Sequence, residues 1–332
     1  MSLGWGIIGC GRVAANHAWA ARECGLDLLW ACDVTYGRAA AIAHRFGVRQ
    51  VTTRISDLEA DPSLACLVIA TDHASHLSIA RRFLNTPVRG ILIEKPLCTP
   101  DQDDLAFAAS VVRSRKTVGL VSQHRFRPHV RHVRKILKDG GFGRIELIRA
   151  TSLTSRDDSY YRDSGWRGTL EQEGGSALIN QGYHALDTLV HLFGRPNVRS
   201  ARMWTQRTQI IEGEEGYHAQ LAFGDCPADL HGSNAGGQVW DVVIEICGSA
   251  GHVIFDLNHP GGIREITCTS HPVEPDPQPA VPGIDYYGTS HREAVADFAV
   301  ALMNGHSPTV TVVHAQETLS VIRDIYRTGG RG

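Results

Sequence analysis

Along residues 1–122, apolar positions fall into short blocks separated by alanine- and leucine-rich stretches. Trp5–Ile8, Leu26–Ala31, Leu64–Ala70, Gly90–Glu94 and Thr117–Val121 are runs of four to seven mostly apolar residues, as in strands covered on both faces. Val13–Glu23, Gly37–Phe46, Ser75–Asn85 and Gln102–Ser114 read as the helices between them. Alternation of this kind predicts βαβ units and a doubly wound parallel sheet, an α/β class. From about Arg144 the rhythm changes. Ile145–Thr154, Val198–Thr208, His218–Phe223 and Val239–Leu257 read as longer strands, the last broken by the turn Gly248-Ser249-Ala250-Gly251. Strands without intervening helices imply mostly antiparallel pairing, so the second part is α+β. Ser290 followed by Glu293 suggests a capping box on a helix running to Gly305, and a last helix covers about His314–Arg327. Ser270–Gly283, with five prolines, reads as a surface connection. The boundary lies near Ser122–Pro128, giving domains 1–122 and 123–332, with the C-terminal helices able to pack back on the first.

Composition narrows the class. The 332 residues are 42% hydrophobic, with 33 basic and 35 acidic side chains, so no global field attracts nucleic acid or an anionic membrane. No apolar stretch approaches the roughly 18 residues of a membrane span, and residues 1–30 lack the anatomy of a signal peptide. Eight cysteines form no C-x-x-C pair. Reduced thiols in a cytoplasmic protein are the expectation, without a disulfide framework or zinc.

Chemistry begins at the first turn. Gly9-Cys10-Gly11-Arg12-Val13-Ala14 follows the first strand and opens the first helix. Gly9 permits the tight turn, Gly11 lets a pyrophosphate approach the backbone, and Ala14 keeps helix and strand close. The helix-terminal N–H groups, those of Arg12 and Val13 among them, then face the phosphates. Asp33 ends the second strand, 24 residues after Gly9, where a carboxylate accepts from ribose hydroxyls. A 2′-phosphate there would be repelled, which favours NAD(H) over NADP(H); Arg38 nearby softens the repulsion. Glu94-Lys95-Pro96 closes another strand, on the sheet edge where ligands collect. Farther on, Asn180, His184, Asp187 and His191 are spaced i, i+4, i+7 and i+11. On a regular helix that is one narrow polar face, poor in Lys and Glu, and it suits a cleft wall. The two histidines stand at i, i+7, whereas metal binding on one helix usually uses a pair at i, i+3 or i, i+4 with a further ligand, so no metal is expected. No G-x-S-x-G elbow is present.

These motifs resemble, in order and spacing, the Gfo/Idh/MocA family of NAD(P)-dependent oxidoreductases. The resemblance rests on Gly9-x-Gly11-x-x-Ala14, Asp33, Thr71, Glu94-Lys95-Pro96-Leu97, Gln123-x-Arg125-Phe126-x-Pro128 and Trp166-Arg167-Gly168-Thr169. It continues through Gly174-Gly175-x6-Gly182-x-His184-x-x-Asp187 to Ser290-His291-Arg292-x4-Asp297-Phe298. It implies a Rossmann domain followed by a substrate and oligomerisation domain. It also implies hydride transfer between NAD(H) and a secondary alcohol or ketone carbon of a sugar, sugar acid, nucleotide sugar or cyclitol. Lys95 and His184 are then the catalytic pair, and Gly9, Gly11, Arg12, Val13, Asp33, Thr71, Glu94 and Lys95 face the cofactor. Arg125, Trp166, Arg167 and Asn180 join the pair at the substrate. The family implies a homo-dimer or homo-tetramer, and a cis bond between Lys95 and Pro96. Many members carry aspartate where this chain has Asn180, which cannot lend negative charge to a protonated His184. Arg125 and Arg127, and the loop bearing Arg156, Tyr160, Tyr161, Arg162, Trp166 and Arg167, suit an anionic sugar. Two other functions compete: an NAD-dependent glycosidase working by transient oxidation, and a non-catalytic NAD-binding regulator.

Overall fold

A computed structural model of the chain describes residues 2–259, 262–268, 281–284 and 287–330. They form two compact units: residues 1–98, 102–123 and 279–316, and residues 99–101, 124–278 and 317–332.

In the first unit, strands β1 (Gly4–Ile8), β2 (Asp27–Cys32), β3 (Gln50–Thr52), β4 (Leu64–Ile69), β5 (Gly90–Ile93) and β6 (Thr117–Leu120) alternate with helices α1 (Ala14–Glu23), α2 (Tyr36–Phe46), α3 (Ile55–Glu59), α4 (His76–Phe83) and α5 (Asp104–Ser114). The strands lie in the order β3-β2-β1-β4-β5-β6, and every pair is parallel. Order reverses between β1 and β4, so the carboxyl ends of those strands frame the place where such sheets bind ligands. Every residue of β1 is buried, as the continuous apolar run requires. Strand β3 and helix α3 are too short for a periodic signal, and the sequence pattern missed both.

In the second unit, α6 (Pro128–Lys138) precedes β7 (Ile145–Leu153), the short α7 (Asp158–Arg162) and α8 (Tyr183–Phe193). Strands β8 (Asn197–Trp204), β9 (Gly216–Phe223), β10 (Cys226–Ser233), β11 (Asp241–Gly248), β12 (Gly251–Asp256) and β13 (Ile263–Ile266) follow. The sheet order is β13-β12-β11-β7-β10-β9-β8. All neighbours pair antiparallel except β7 and β10, and the Gly248–Gly251 hairpin joins β11 to β12 as expected. Strand β10 escaped the pattern because Pro227 and Gly232 interrupt its apolar alternation.

Two helices close the chain, α9 (Ser290–Asn304) and α10 (Val312–Thr328). Residues 279–316 belong to the first unit, where Phe298 of α9 meets Trp5 edge to face at 6.2 Å. The expected capping box is absent. Thr289 is the N-cap, with no side-chain cap bond, and Glu293 pairs instead with Arg292 at 2.7 Å. Most of the Ser270–Gly283 stretch lies outside the described residues.

Candidate active site

In the first unit, the carboxyl ends of β1, β2, β4 and β5 carry the side chains singled out from sequence. Gly9 has φ of +91°, and a Cβ there would lie 2.5 Å from the Ala70 carbonyl oxygen; only glycine fits. A Cβ on Gly11 would meet nothing within 4 Å, leaving open backbone for a ligand to approach. Val13 is the N-cap of α1 and no side chain caps that end, so the positive end of the helix dipole is left open to an anion. Asp33 fixes the turn: Oδ2 accepts from the Cys10 N–H and Oδ1 from the Thr35 N–H, each at 2.8 Å. Each oxygen keeps acceptor capacity for a ribose hydroxyl. Thr71, two residues past β4, receives a hydrogen bond from Ser75 Oγ at 2.7 Å. These residues fit a dinucleotide.

The Lys95–Pro96 bond is cis. Its flanks are gripped from both sides. Glu94 Oε2 accepts from the Lys95 N–H at 3.0 Å, and His76 Nδ1 lies 2.8 Å from the Pro96 carbonyl, so that nitrogen carries the proton and donates. Burial holds the His76 pKa below its ordinary value, which keeps the ring neutral in this role. Glu94 Oε1 in turn meets His17 Nε2 at 2.7 Å, with His291 Nε2 at 3.8 Å. Burial pushes the Glu94 pKa up, but the hydrogen bonds from His17 and His291 outweigh it and hold the carboxyl well below its usual range. His17, Glu94 and His291 also form a buried set of possible metal ligands, their donor atoms all within 4.8 Å. At 2.7 Å, His17 Nε2 and the Glu94 carboxylate are already within hydrogen-bond reach of each other.

In the second unit, the polar stripe is not one regular face. Ala177–Gly182 is a π-helical turn that runs into α8, which shifts Asn180 relative to the face expected from an α-helical period. Buried Glu214 anchors its start, accepting from the Ser176 and Leu178 N–H groups at 3.0 and 2.8 Å. His184 is buried and packs edge to face on His124 at 4.7 Å. Asn180 Nδ2 donates to Glu173 and lies 3.3 Å from Tyr160 Oη. Arg125 departs from expectation: its Nε and Nη2 both donate to Asp187, at 2.9 and 2.6 Å, in a pair whose side chains are 2% and 3% exposed. Its charge is compensated inside the unit by that carboxylate. Trp166 and Arg167 stack together, the guanidinium 4.8 Å from the indole.

Glu173 was not anticipated. It is 1% exposed, and burial pushes its pKa up to about 7 despite hydrogen bonds from Gly168 and Asn180. The signal was present as an acid directly before Gly174-Gly175. Because the folded-state pKa exceeds the unfolded value near 4.5, its stability contribution is whole below pH 4.5 and declines as pH rises to about 7. A shift of this size corresponds to about 3 kcal/mol. Relative to Glu173→Gln, the wild type is expected to lose about that much between pH 4.5 and 8 in denaturant titrations. Parallel stability curves for the two proteins would contradict the assignment.

A six-stranded parallel sheet with a glycine turn and a strand-end acid, joined to a mostly antiparallel α+β unit, defines a dinucleotide-binding oxidoreductase architecture. Residues 3–124 match the NAD-binding Rossmann-fold domain of the GFO/IDH/MocA oxidoreductases, and residues 130–254 match the GFO/IDH/MocA C-terminal domain. The chain belongs to this family. It is 31% identical over 161 residues to an inositol 2-dehydrogenase of Rhizobium meliloti, a match spanning 48% of this chain and 47% of that one. The fold is that of the WlbA dehydrogenase from Bordetella pertussis, solved with NADH and UDP-GlcNAcA (TM-score 0.84, 24% identity, 99% of this chain and 97% of that one). It is also that of a levoglucosan dehydrogenase solved with NADH and levoglucosan (TM-score 0.86, 21% identity, 100% and 98%). Among the described residues, no helix is long and apolar enough to cross a membrane.

Proposed function

We propose that the protein is an NAD-dependent dehydrogenase or reductase of a sugar-like secondary alcohol: a sugar, sugar acid, nucleotide sugar or cyclitol. One observation carries the reading. A lysine stands on the ligand-binding edge of the parallel sheet, in a backbone segment held by Glu94 before it and His76 after it. A surface lysine needs no such support. Retention of both Lys95 and His184 favours an enzyme over a regulator, because a binding module has no chemical use for the pair.

Gly9, Gly11, Arg12, Val13, Asp33, Thr71, Glu94 and Lys95 would hold the dinucleotide, which when bound supplies the hydride acceptor or donor. Lys95, charged, donates to the reacting substrate oxygen and stabilises the negative charge that grows there. His184 takes the hydroxyl proton in oxidation and returns it in reduction. Asn180, its amide oriented by Glu173 and by Gln181, positions a substrate hydroxyl, and Trp166 and Arg167 face the rest of the ring.

A panel of sugars, sugar acids and cyclitols mixed with NAD, followed by NADH absorbance, tests this. Accumulating NADH supports it. Glycoside cleavage without net NADH points to transient oxidation, and NAD binding with no turnover on any substrate points to a regulator. For the cofactor, calorimetry is expected to show tighter binding of NAD(H) than NADP(H). Asp33→Ser should narrow the gap by about tenfold, ~1.4 kcal/mol. Equal affinities in the wild type would mean that a cation such as the exposed Arg38 cancels the repulsion.

A further inference from the structure

Five side chains of the second unit alternate as cation and ring. The Arg156 guanidinium lies 4.2 Å from the Tyr160 ring and 4.3 Å from the Trp240 ring. Arg167 lies 4.5 Å from the same Tyr160 ring and 4.8 Å from Trp166. Stacking occupies the faces of a guanidinium and leaves its N–H edges free for planar acceptors. The Nε of each arginine is buried and has no hydrogen-bond partner. Neighbouring arginines are treated otherwise: Arg207 pairs with Glu215 and Asp158, Arg162 with Asp158, and Arg125 with Asp187. Arg156 and Arg167 have no such carboxylate partner among the described residues.

A buried Nε without an acceptor is costly, and the half-buried remainder of each guanidinium has no carboxylate ion pair among the described residues to neutralise it. Both are rigidly presented. The Arg156 N–H donates to the Asn234 carbonyl at 2.9 Å, and its own carbonyl accepts from Arg207 Nη1 at 2.8 Å. The Arg167 N–H donates to Ser164 Oγ at 3.1 Å. The stack also adjoins the candidate site, since Tyr160 Oη lies 3.3 Å from Asn180 Nδ2. Glu173, the acid whose pKa Arg167 lowers, is buried and is pushed up to about 7, so at neutral pH it neutralises Arg167 only in part.

We propose that Arg156 and Arg167, stacked on Trp240, Tyr160 and Trp166, form a subsite for the anionic group of the substrate, a carboxylate or phosphate carried by a sugar ring. The inference rests on the dehydrogenase reading and narrows its substrate to anionic sugars. The cation–ring stack offers one flat apolar surface for a pyranose face and two forked donors for planar or tetrahedral oxygens.

The test uses the full chain saturated with NADH and matched probes in the gluco and galacto series: the neutral hexose, its uronate and its 1-phosphate. Binding is read by calorimetry and by quenching of tryptophan fluorescence. In at least one series the uronate or the phosphate is expected to bind at least about tenfold tighter than the neutral sugar, and which of the two does so identifies the anion. Arg156→Gln and Arg167→Gln should each erase most of that preference. Arg156→Lys and Arg167→Lys, which keep charge but lose the planar fork, should retain part of it, and melting curves confirm that all four fold. Equal binding of neutral and anionic probes, no binding of either, or a preference untouched in both Gln variants overturns the subsite. The two readings fail separately: NADH formation from a neutral sugar with no anion preference removes only the subsite. Anion preference without NADH formation from any substrate removes the dehydrogenase reading.

Discussion

Replacing Lys95 or His184 by alanine is expected to lower turnover by roughly 10²–10⁴-fold while NAD(H) binding stays near the wild-type value. Oxidation of a secondary alcohol needs a group to take the hydroxyl proton and a group to hold the charge that builds on oxygen. An imidazole with an ordinary pKa near 6.5 does the first at neutral pH without extensive tuning, and a charged ammonium does the second. The local structure supports this division. Lys95 follows a backbone turn fixed by Glu94 and His76, so its stem starts from a defined place. His184 is wedged against His124 and tied at its carbonyl to Thr188 Oγ at 2.9 Å. Loss in kcat with little change in KM is expected for Lys95→Ala, because the ammonium acts chiefly on the transition state. Single-turnover rates with a saturating substrate found in the NADH screen, together with NADH titrations, provide the check. A fully active His184→Ala protein removes the histidine from the mechanism, and an unchanged Lys95→Ala rate does the same for the lysine.

A residue's place is legible in the sequence where the requirement it meets is local. Gly9, Gly11 and Asp33 were legible because a glycine turn, a helix start and a strand-end acid are short-range requirements of one βαβ unit, and the structure places them together at the ends of β1 and β2. The parallel sheet followed from its apolar runs for the same reason. Partners remote in sequence were not legible. His17, Glu94 and His291 come from α1, the end of β5 and α9, and no period links them. Glu173 and Asn180 are near neighbours, but the π-helical turn between Ala177 and Gly182 breaks the 3.6-residue spacing on which a helical-face argument depends. Asp187 fell on the predicted polar stripe, yet it faces an arginine 62 residues earlier in the chain. A polar stripe in sequence cannot tell cleft-lining groups from buried ion pairs.

That arginine supplies the second large effect, one of stability. Asp187→Ala is expected to destabilise the second unit by about 3–5 kcal/mol, because it strands the Arg125 guanidinium as a buried, unpaired charge. Arg125 Nε and Nη2 both donate to this carboxylate, and Thr318 Oγ1 of α10 adds a third hydrogen bond to it at 2.9 Å. Burial would lower the Arg125 pKa, but the charge and hydrogen bonds of Asp187 raise it above its ordinary value, so the guanidinium stays charged and its partner is needed. The pair ties the turn ahead of α6 to α8 and to Thr318 of α10. Replacing both members together, Arg125→Met with Asp187→Leu, removes the charge and its counter-charge at similar volume, and should recover most of the loss. Denaturant titration of the wild type, Arg125→Met, Asp187→Leu and the double variant in a double-mutant cycle measures the coupling, with a large favourable interaction expected. Were Arg125 instead a substrate-binding residue, Arg125→Met would leave the denaturation midpoint unchanged and raise KM alone, and Asp187→Ala would cost no more than a surface substitution.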